Sequence, residues 1–213
     1  VRALHGGRTR EFQTEYHRGR NDAPEFDQGQ PGRIDLARFF IEKMLVKDLT
    51  HRPLRIVELG CGAGDVTGPY SMGRRYEIPR GSIDTKGVEV IGVDFVPIAA
   101  IKCAERWPGM TFLLSPVEDL TPVDCDLLVM TEFLEHVADP LAITDAWMPH
   151  ARWALIGHPI DEPDPPYEHG HSWSYSLEDW AQWFGRYNFH IWERVLFPMG
   201  SYNTMVMGHG SRR

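Results

Sequence analysis

The residues of this chain best equipped for chemistry stand in one block, Thr131-Glu132-Phe133-Leu134-Glu135-His136-Val137. Glu132, Glu135 and His136 follow at i, i+3 and i+4, so a helix start there would bring two carboxylates and an imidazole to one side. A second imidazole, His171, opens the tract His171-Ser172-Trp173-Ser174-Tyr175, and a third, His158, stands before Pro159 at the end of an apolar run. Two chemistries suit such a set. His136, His171 or His158 can act as a general base or orienting group toward an acceptor. Alternatively Glu132, Glu135, His136 and His171 can ligate a divalent ion, and carboxylates mixed with imidazoles suit magnesium, manganese or iron better than a structural zinc. A blander account also fits: two acids favour a helix N-terminus and a single histidine lines a cleft. His169, between Glu168 and Gly170, reads as a solvated loop residue.

These groups need a partner site, and Glu58-Leu59-Gly60-Cys61-Gly62-Ala63-Gly64-Asp65 supplies one. An apolar run from Leu54 through Ile56 and Val57 reads as a buried strand that empties into three alternating glycines. Such a turn exposes backbone N–H groups and lets a ligand approach the main chain. A dinucleotide fingerprint would place a small residue where Asp65 stands, and Glu58 adds a second acid at the same mouth. Acids beside a glycine turn suit a cationic or hydroxyl-rich ligand better than a pyrophosphate, which disfavours a nicotinamide-dependent oxidoreductase.

The run V-E-L-G-C-G-A-G-D (Val57 to Asp65) resembles the signature of the class I S-adenosylmethionine-dependent methyltransferases. The resemblance covers about residues 34–208 and implies S-adenosylmethionine as cofactor, held by Glu58, Gly60, Cys61, Gly62, Gly64 and Thr131. Asp94 ends the next predicted strand, Val88 to Val93, and matches the family's ribose-binding acid, with Phe95 near the adenine. Relatives often carry an Asp where Pro116 stands here, so the adenine amino group would fall to the backbone of Val117 or the carboxylate of Glu118. The Glu-x-x-Glu-His tract with a later His is also similar to the small-RNA 3′-terminal 2′-O-methyltransferases, which bind metal through it. The same tract resembles many small-molecule methyltransferases that use no metal.

The elements that must position these groups follow from periodicity. Apolar positions from Ile34 to Leu45 predict an amphipathic helix over 34–49, and Pro97 opens another that runs to Pro108. Met110 to Leu114 and Asp126 to Met130 read as strands, and a helix is expected from about Phe133 to Trp147. Ala151 to Gly157 is a further strand, and Ser176 caps a helix over 177–187. Residues 189–197 and 202–208 read as a closing antiparallel pair, and Pro69, Gly73, Pro79 and Gly81 punctuate a loop insertion around 69–86 whose basic Arg74, Arg75 and Arg80 could meet an anionic substrate but read first as a solvated loop. Strands alternating with helices give an α/β, doubly wound Rossmann-like sheet with ligands at the carboxyl strand ends. The resemblance implies about seven strands, the last antiparallel. Trp180 and Trp183 fall at core spacing, and Trp173 is the aromatic placed to wall an acceptor pocket.

Composition limits the partners. The 213 residues suit one domain of residues 34–213, preceded by an arm or lid over 1–33 in which Phe12, Tyr16 and His17 share a helical face. The net charge is −8, and residues 1–20 hold five Arg against two Glu, which leaves −11 on the remainder. So acidic a body repels a phosphate backbone, so a small-molecule acceptor is expected and nucleic acid is not, although the end of one strand remains compatible. No apolar run reaches membrane-spanning length, nothing at the start reads as a signal peptide, and the cysteines Cys61, Cys103 and Cys125 lack disulfide or zinc spacing. A cytoplasmic enzyme is expected, with a non-catalytic scaffold of the same fold as the competing class. Nothing in the sequence sets the oligomeric state.

Overall fold

Alternate residues of the central strands face opposite ways, and that alternation builds two cores on one sheet. On one face Ile56, Val90, Leu127, Val129 and Leu155 pack against Ala37, Phe40, Ile41, Met44 and Leu45. On the other Val57, Leu59, Val93, Leu128, Met130 and Ile156 pack against Trp147, Trp180, Trp183 and Phe184. The computed structural model describes residues 2–4, 15, 31–48, 54–78, 81–161, 170–199 and 201–210. The expected lid face of Phe12, Tyr16 and His17, together with Arg80 and His169, lies outside the described residues.

The main sheet has seven strands: β1 (Arg55–Leu59), β2 (Glu89–Asp94), β3 (Thr111–Leu114), β4 (Cys125–Thr131), β5 (Ala151–Pro159), β6 (Phe189–Met199) and β7 (Ser201–Gly210). Their order is β6-β7-β5-β4-β1-β2-β3. The inner pairs are parallel, while β7 runs antiparallel to β5 and β6. The helices are α1 (Pro31–Asp48), α2 (Pro97–Arg106), α3 (Pro140–Trp147) and α4 (Leu177–Arg186). No described helix is long and apolar enough to cross a membrane.

Two elements differ from the sequence expectation, each for a local reason. The insertion after the glycine turn is a 3₁₀ turn, Gly68–Met72, followed by a hairpin that pairs Arg75–Ile78 with Gly81–Asp84. Gly68, Pro69 and Gly73 stop an α-helix there, and Tyr70 anchors the segment in the core. The helix expected from Phe133 begins only at Pro140, whose missing N–H suits a first helical position. Asp139 ahead of it is extended and caps the helix, its side chain accepting from Ala142 N at 2.9 Å. Glu132, Glu135 and His136 therefore lie on a turn and not on a helix face.

A short pairing joins the beginning of the chain to the site. Arg2 and Ala3 pair antiparallel with Ser174 and Trp173, Leu4 N donates to Ser172 O at 2.8 Å, and the Leu4 side chain is fully buried.

Candidate active site

Strand register brings the mouth to one level. Leu59 pairs with Val93, Glu58 with Val129 and Thr131 with Gly157, so Asp94, Gly60, Thr131 and Gly157 stand at one level across four neighbouring strands, of which only β5 runs on, to Pro159. The three glycines turn the chain back with φ of 70° at Gly60, 49° at Gly62 and 76° at Gly64, a region that other residues enter only at a cost. A Cβ at Gly60 would lie 2.5 Å from the Phe133 ring, so this position is closed twice over. Gly60 N and Cys61 N donate to Val93 O, and Gly62 N donates to Asp94 Oδ2 at 2.9 Å. Val96 N takes the other carboxylate oxygen, Oδ1, at 3.0 Å. Burial pushes the Asp94 carboxyl up, and the backbone donors of Val96, Gly62 and Phe95 pull it back. Asp94 is thus locked to the glycine turn with lone pairs left on each oxygen.

The other residues expected around a cofactor divide. Phe95 is half-buried beside Asp94, Thr131 is half-buried at the end of β4, Val117 is buried in a single 3₁₀ turn, and Glu118 is exposed on it. Cys61 is buried, and desolvation lifts its thiol well above the usual range, so it stands as a small apolar residue. Glu58 does not open on the mouth as its position in sequence suggested. It is buried under the turn, accepts from Thr67 Oγ1 at 2.5 Å, and is pushed up to about 8 by desolvation. Asp65 is matched by Arg106, 2.9 Å away, while Arg38 of α1 donates to its backbone carbonyl.

The second cluster forms where the 133–138 turn meets the segment 170–175. His136 Nδ1 lies 3.2 Å from Gly170 O, and Ser172 N donates to Glu135 O at 2.7 Å. Trp173 Nε1 donates to Val137 O at 2.7 Å, and Tyr175 Oη donates to Leu134 O at 2.8 Å. These four bonds between distant segments set His136 and His171 edge to face, ring centroids 4.8 Å apart. Ligand atoms of Glu135, His136 and His171 all lie within 4.8 Å of one another. Glu135 is fully buried, and neither carboxylate oxygen has a hydrogen-bond partner among the described residues. Desolvation first, then Glu132, pushes its carboxyl up, and His171 opposes them. Glu132 stands apart from this trio. It has a φ of 51°, its N–H donates to Gly157 O, and its carboxylate is bonded by Arg33 of α1.

His158 ends elsewhere. It is fully buried, stacked on Trp180 at 4.4 Å and packed on Tyr175 at 4.3 Å, with Nδ1 donating to Pro159 O. Desolvation lowers it to about 3, so it is a neutral core residue and has no route to an acceptor's proton in this arrangement. Arg33, Arg38 and Thr67 were missed from the sequence; each reaches the site through a fold contact that no local pattern announces.

A seven-stranded sheet in this order, with one antiparallel strand inserted before the edge, is the class I methyltransferase fold. Among solved structures the chain is similar to the magnesium protoporphyrin IX methyltransferase of Synechocystis PCC 6803, solved with bound S-adenosylmethionine. The TM-score is 0.68 and the identity 14%, over 94% of this chain and 96% of that one. It is also similar to the 1,6-didemethyltoxoflavin-N1-methyltransferase of Burkholderia thailandensis, solved with its acceptor and S-adenosylhomocysteine, at TM-score 0.62 and 18% identity over 95% and 86%. A third likeness is to the CurJ carbon methyltransferase, at TM-score 0.59 and 14% identity over 84% of this chain and 54% of that one. No family model matches the sequence, and no curated protein does. At these identities the likeness is one of fold.

Proposed function

We propose that the protein transfers a methyl group from S-adenosylmethionine to a small-molecule acceptor. The observation that carries this reading is Asp94, a carboxylate fixed by Gly62 N and Val96 N level with a three-glycine turn. Fixed there, it can accept from a pair of vicinal hydroxyls without giving up its backbone donors. Similar folds solved with S-adenosylmethionine or its product support the choice of ligand. When bound, the sulfonium supplies an electrophilic methyl, so the protein has to align the acceptor and manage its proton.

His136 is the group of the cluster suited to that proton. Its Nδ1 faces the carbonyl of Gly170, which can only accept, so the proton of a neutral ring sits on Nδ1 and the lone pair on Nε2. Unlike His171 and Glu135 it is only half-buried. His171 packs against it and positions the ring, and Glu135 stands behind as a carboxyl able to stabilise charge that develops on either imidazole. An acidic chain and an acceptor such as that of the toxoflavin enzyme favour a small molecule over nucleic acid.

A second reading rests on Glu135, whose unpartnered buried oxygens lie beside two imidazoles. Two ligands of one ion stand at most about 4.2 Å apart for bonds of about 2.1 Å, so the trio fits magnesium or manganese after a small inward shift. Glu135, His136 and His171 would hold the ion, which would acidify an acceptor hydroxyl.

Calorimetry with S-adenosylhomocysteine tests the first reading. Binding in the micromolar range that Asp94→Ala weakens supports it, and no binding at millimolar ligand ends it in favour of a scaffold. Activity that survives chelation but not His136→Ala selects the base; activity that chelator abolishes and magnesium or manganese restores selects the ion.

A further inference from the structure

Leu4 is fully buried yet belongs to neither of the two cores on the sheet. Its backbone is bound to the segment that carries His171. Leu4 N donates to Ser172 O at 2.8 Å, and Arg2 and Ala3 pair antiparallel with Ser174 and Trp173. Ser172 is thus held twice, through its carbonyl by Leu4 and through its N–H by Glu135 O at 2.7 Å. Burying a leucine outweighs a single backbone hydrogen bond, so the Leu4 side chain is the anchor and the bonds set the register.

What the anchored segment carries gives the anchor a chemical consequence. Two residues ahead of Ser172, Gly170 O stands 3.2 Å from His136 Nδ1. Between them His171 packs edge to face on the same ring, centroids 4.8 Å apart. Within its own turn His136 is fixed through the main chain, His136 N donating to Phe133 O at 3.0 Å, a bond that leaves the ring's proton undecided. A neutral imidazole free in water carries that proton mainly on Nε2. A carbonyl at Nδ1 reverses the choice, because it can only accept. The reversal depends on position: a shift of Gly170 by about an ångström takes Nδ1 and the carbonyl beyond hydrogen-bond reach.

Resting on the methyl-transfer reading, we propose that Leu4 is a positioning residue for His136. By seating Ser172 it holds Gly170 O against Nδ1, and so leaves the lone pair of the neutral ring on Nε2, where the base needs it. The same placement serves an ion held by this cluster, since an imidazole bonded through Nδ1–H ligates through Nε2. The beginning of the chain thereby sets a proton's place on a ring more than a hundred residues away, through two backbone contacts in series.

Nitrogen-15 spectra of histidine-labelled full chain test this at about pH 8.5, where an ordinary imidazole is neutral. Ring-nitrogen shifts distinguish the two tautomers, and the His136 signals are assigned by their loss in His136→Gln. The wild-type ring should be mainly the Nδ1–H form. Leu4→Asp, which cannot stay buried without cost, should turn it mainly to the Nε2–H form and speed exchange of the Ser172 amide by about tenfold or more. Calorimetry should find S-adenosylhomocysteine bound within about threefold of wild type. Leu4→Met, nearly volume-conserving, should restore the wild-type ring. If Leu4→Asp does not fold, Leu4→Ala should move the tautomer in the same direction by a smaller amount. A wild-type ring already in the Nε2–H form, or a tautomer indifferent to the Leu4 variants, overturns the assignment and leaves methyl transfer standing. A tautomer change that comes with about a hundredfold loss of S-adenosylhomocysteine binding marks general loosening and overturns it equally. A wild-type protein that binds no S-adenosylhomocysteine removes the methyl-transfer reading instead, whatever the ring shows.

Discussion

Replacing Glu58 by glutamine should make this protein more stable, and increasingly so as the pH rises. Glu58 is buried beneath the glycine turn with Thr67 Oγ1 donating to it, and desolvation moves its folded-state value from 4.5 to about 8. A carboxyl raised in this way favours the folded state fully below the unfolded value and loses that contribution as the pH climbs to the folded one. The unfolded chain gives up its proton above about 4.5 while the folded chain keeps it, so stability falls by about 1.4 kcal/mol for each pH unit between them. That amounts to about 3 kcal/mol by about pH 7 and about 5 kcal/mol above about pH 8, as ceilings, since a buried site relaxes and admits water. Glutamine keeps an oxygen for Thr67 and cannot ionise, so its advantage should grow along the same slope. Urea unfolding of both proteins at intervals from about pH 5 to about pH 9 reads it directly. Parallel stability curves, or a variant that loses ground toward alkaline pH, would refute the reasoning. The same variant should bind S-adenosylhomocysteine within about threefold of wild type, because Glu58 lies behind the turn; a hundredfold loss would return it to the ligand.

Asp94→Ala should weaken S-adenosylhomocysteine by about 1–3 kcal/mol in calorimetry with little change in secondary structure, and an unchanged affinity would move the ribose site elsewhere. His158→Leu acts on the opposite limb of the pH profile. The wild-type imidazole, lowered from 6.5 to about 3, costs stability as the pH falls between those values, by about 1.4 kcal/mol per unit, and the leucine protein should lack that acid-side slope in thermal melts. Gly60→Ala meets both a φ of 70° and a ring atom at 2.5 Å, so a loss of about 2 kcal/mol or more is expected in urea unfolding, together with loss of ligand binding. Ser176→Ala removes one half of a capping box with Asp179 and should cost about 1 kcal/mol without touching affinity.

What the sequence determined by itself is whatever depends on neighbours along the chain. The apolar run into Gly60, Gly62 and Gly64, the acid at the end of β2, the Pro97 and Ser176 helix starts and the closing antiparallel pair are fixed by period, backbone preference and capping. His136 and His171 were also legible as partners, because strands adjacent in a wound sheet deliver their following loops to one edge. The late start of α3 was missed: the helix was expected from Phe133, although Asp139 and Pro140 make a better cap than the acids upstream. Only the tertiary structure decided the environments. Glu58 and His158 carry the same side chains that would serve a cleft, but Thr67 covers one and Trp180 with Tyr175 enclose the other. Glu132 left the metal-capable set because Arg33, a helix away, stands opposite it. Burial and charge pairing are set by atoms from distant parts of the chain, and a carboxylate's role follows from those atoms far more than from its place in a motif.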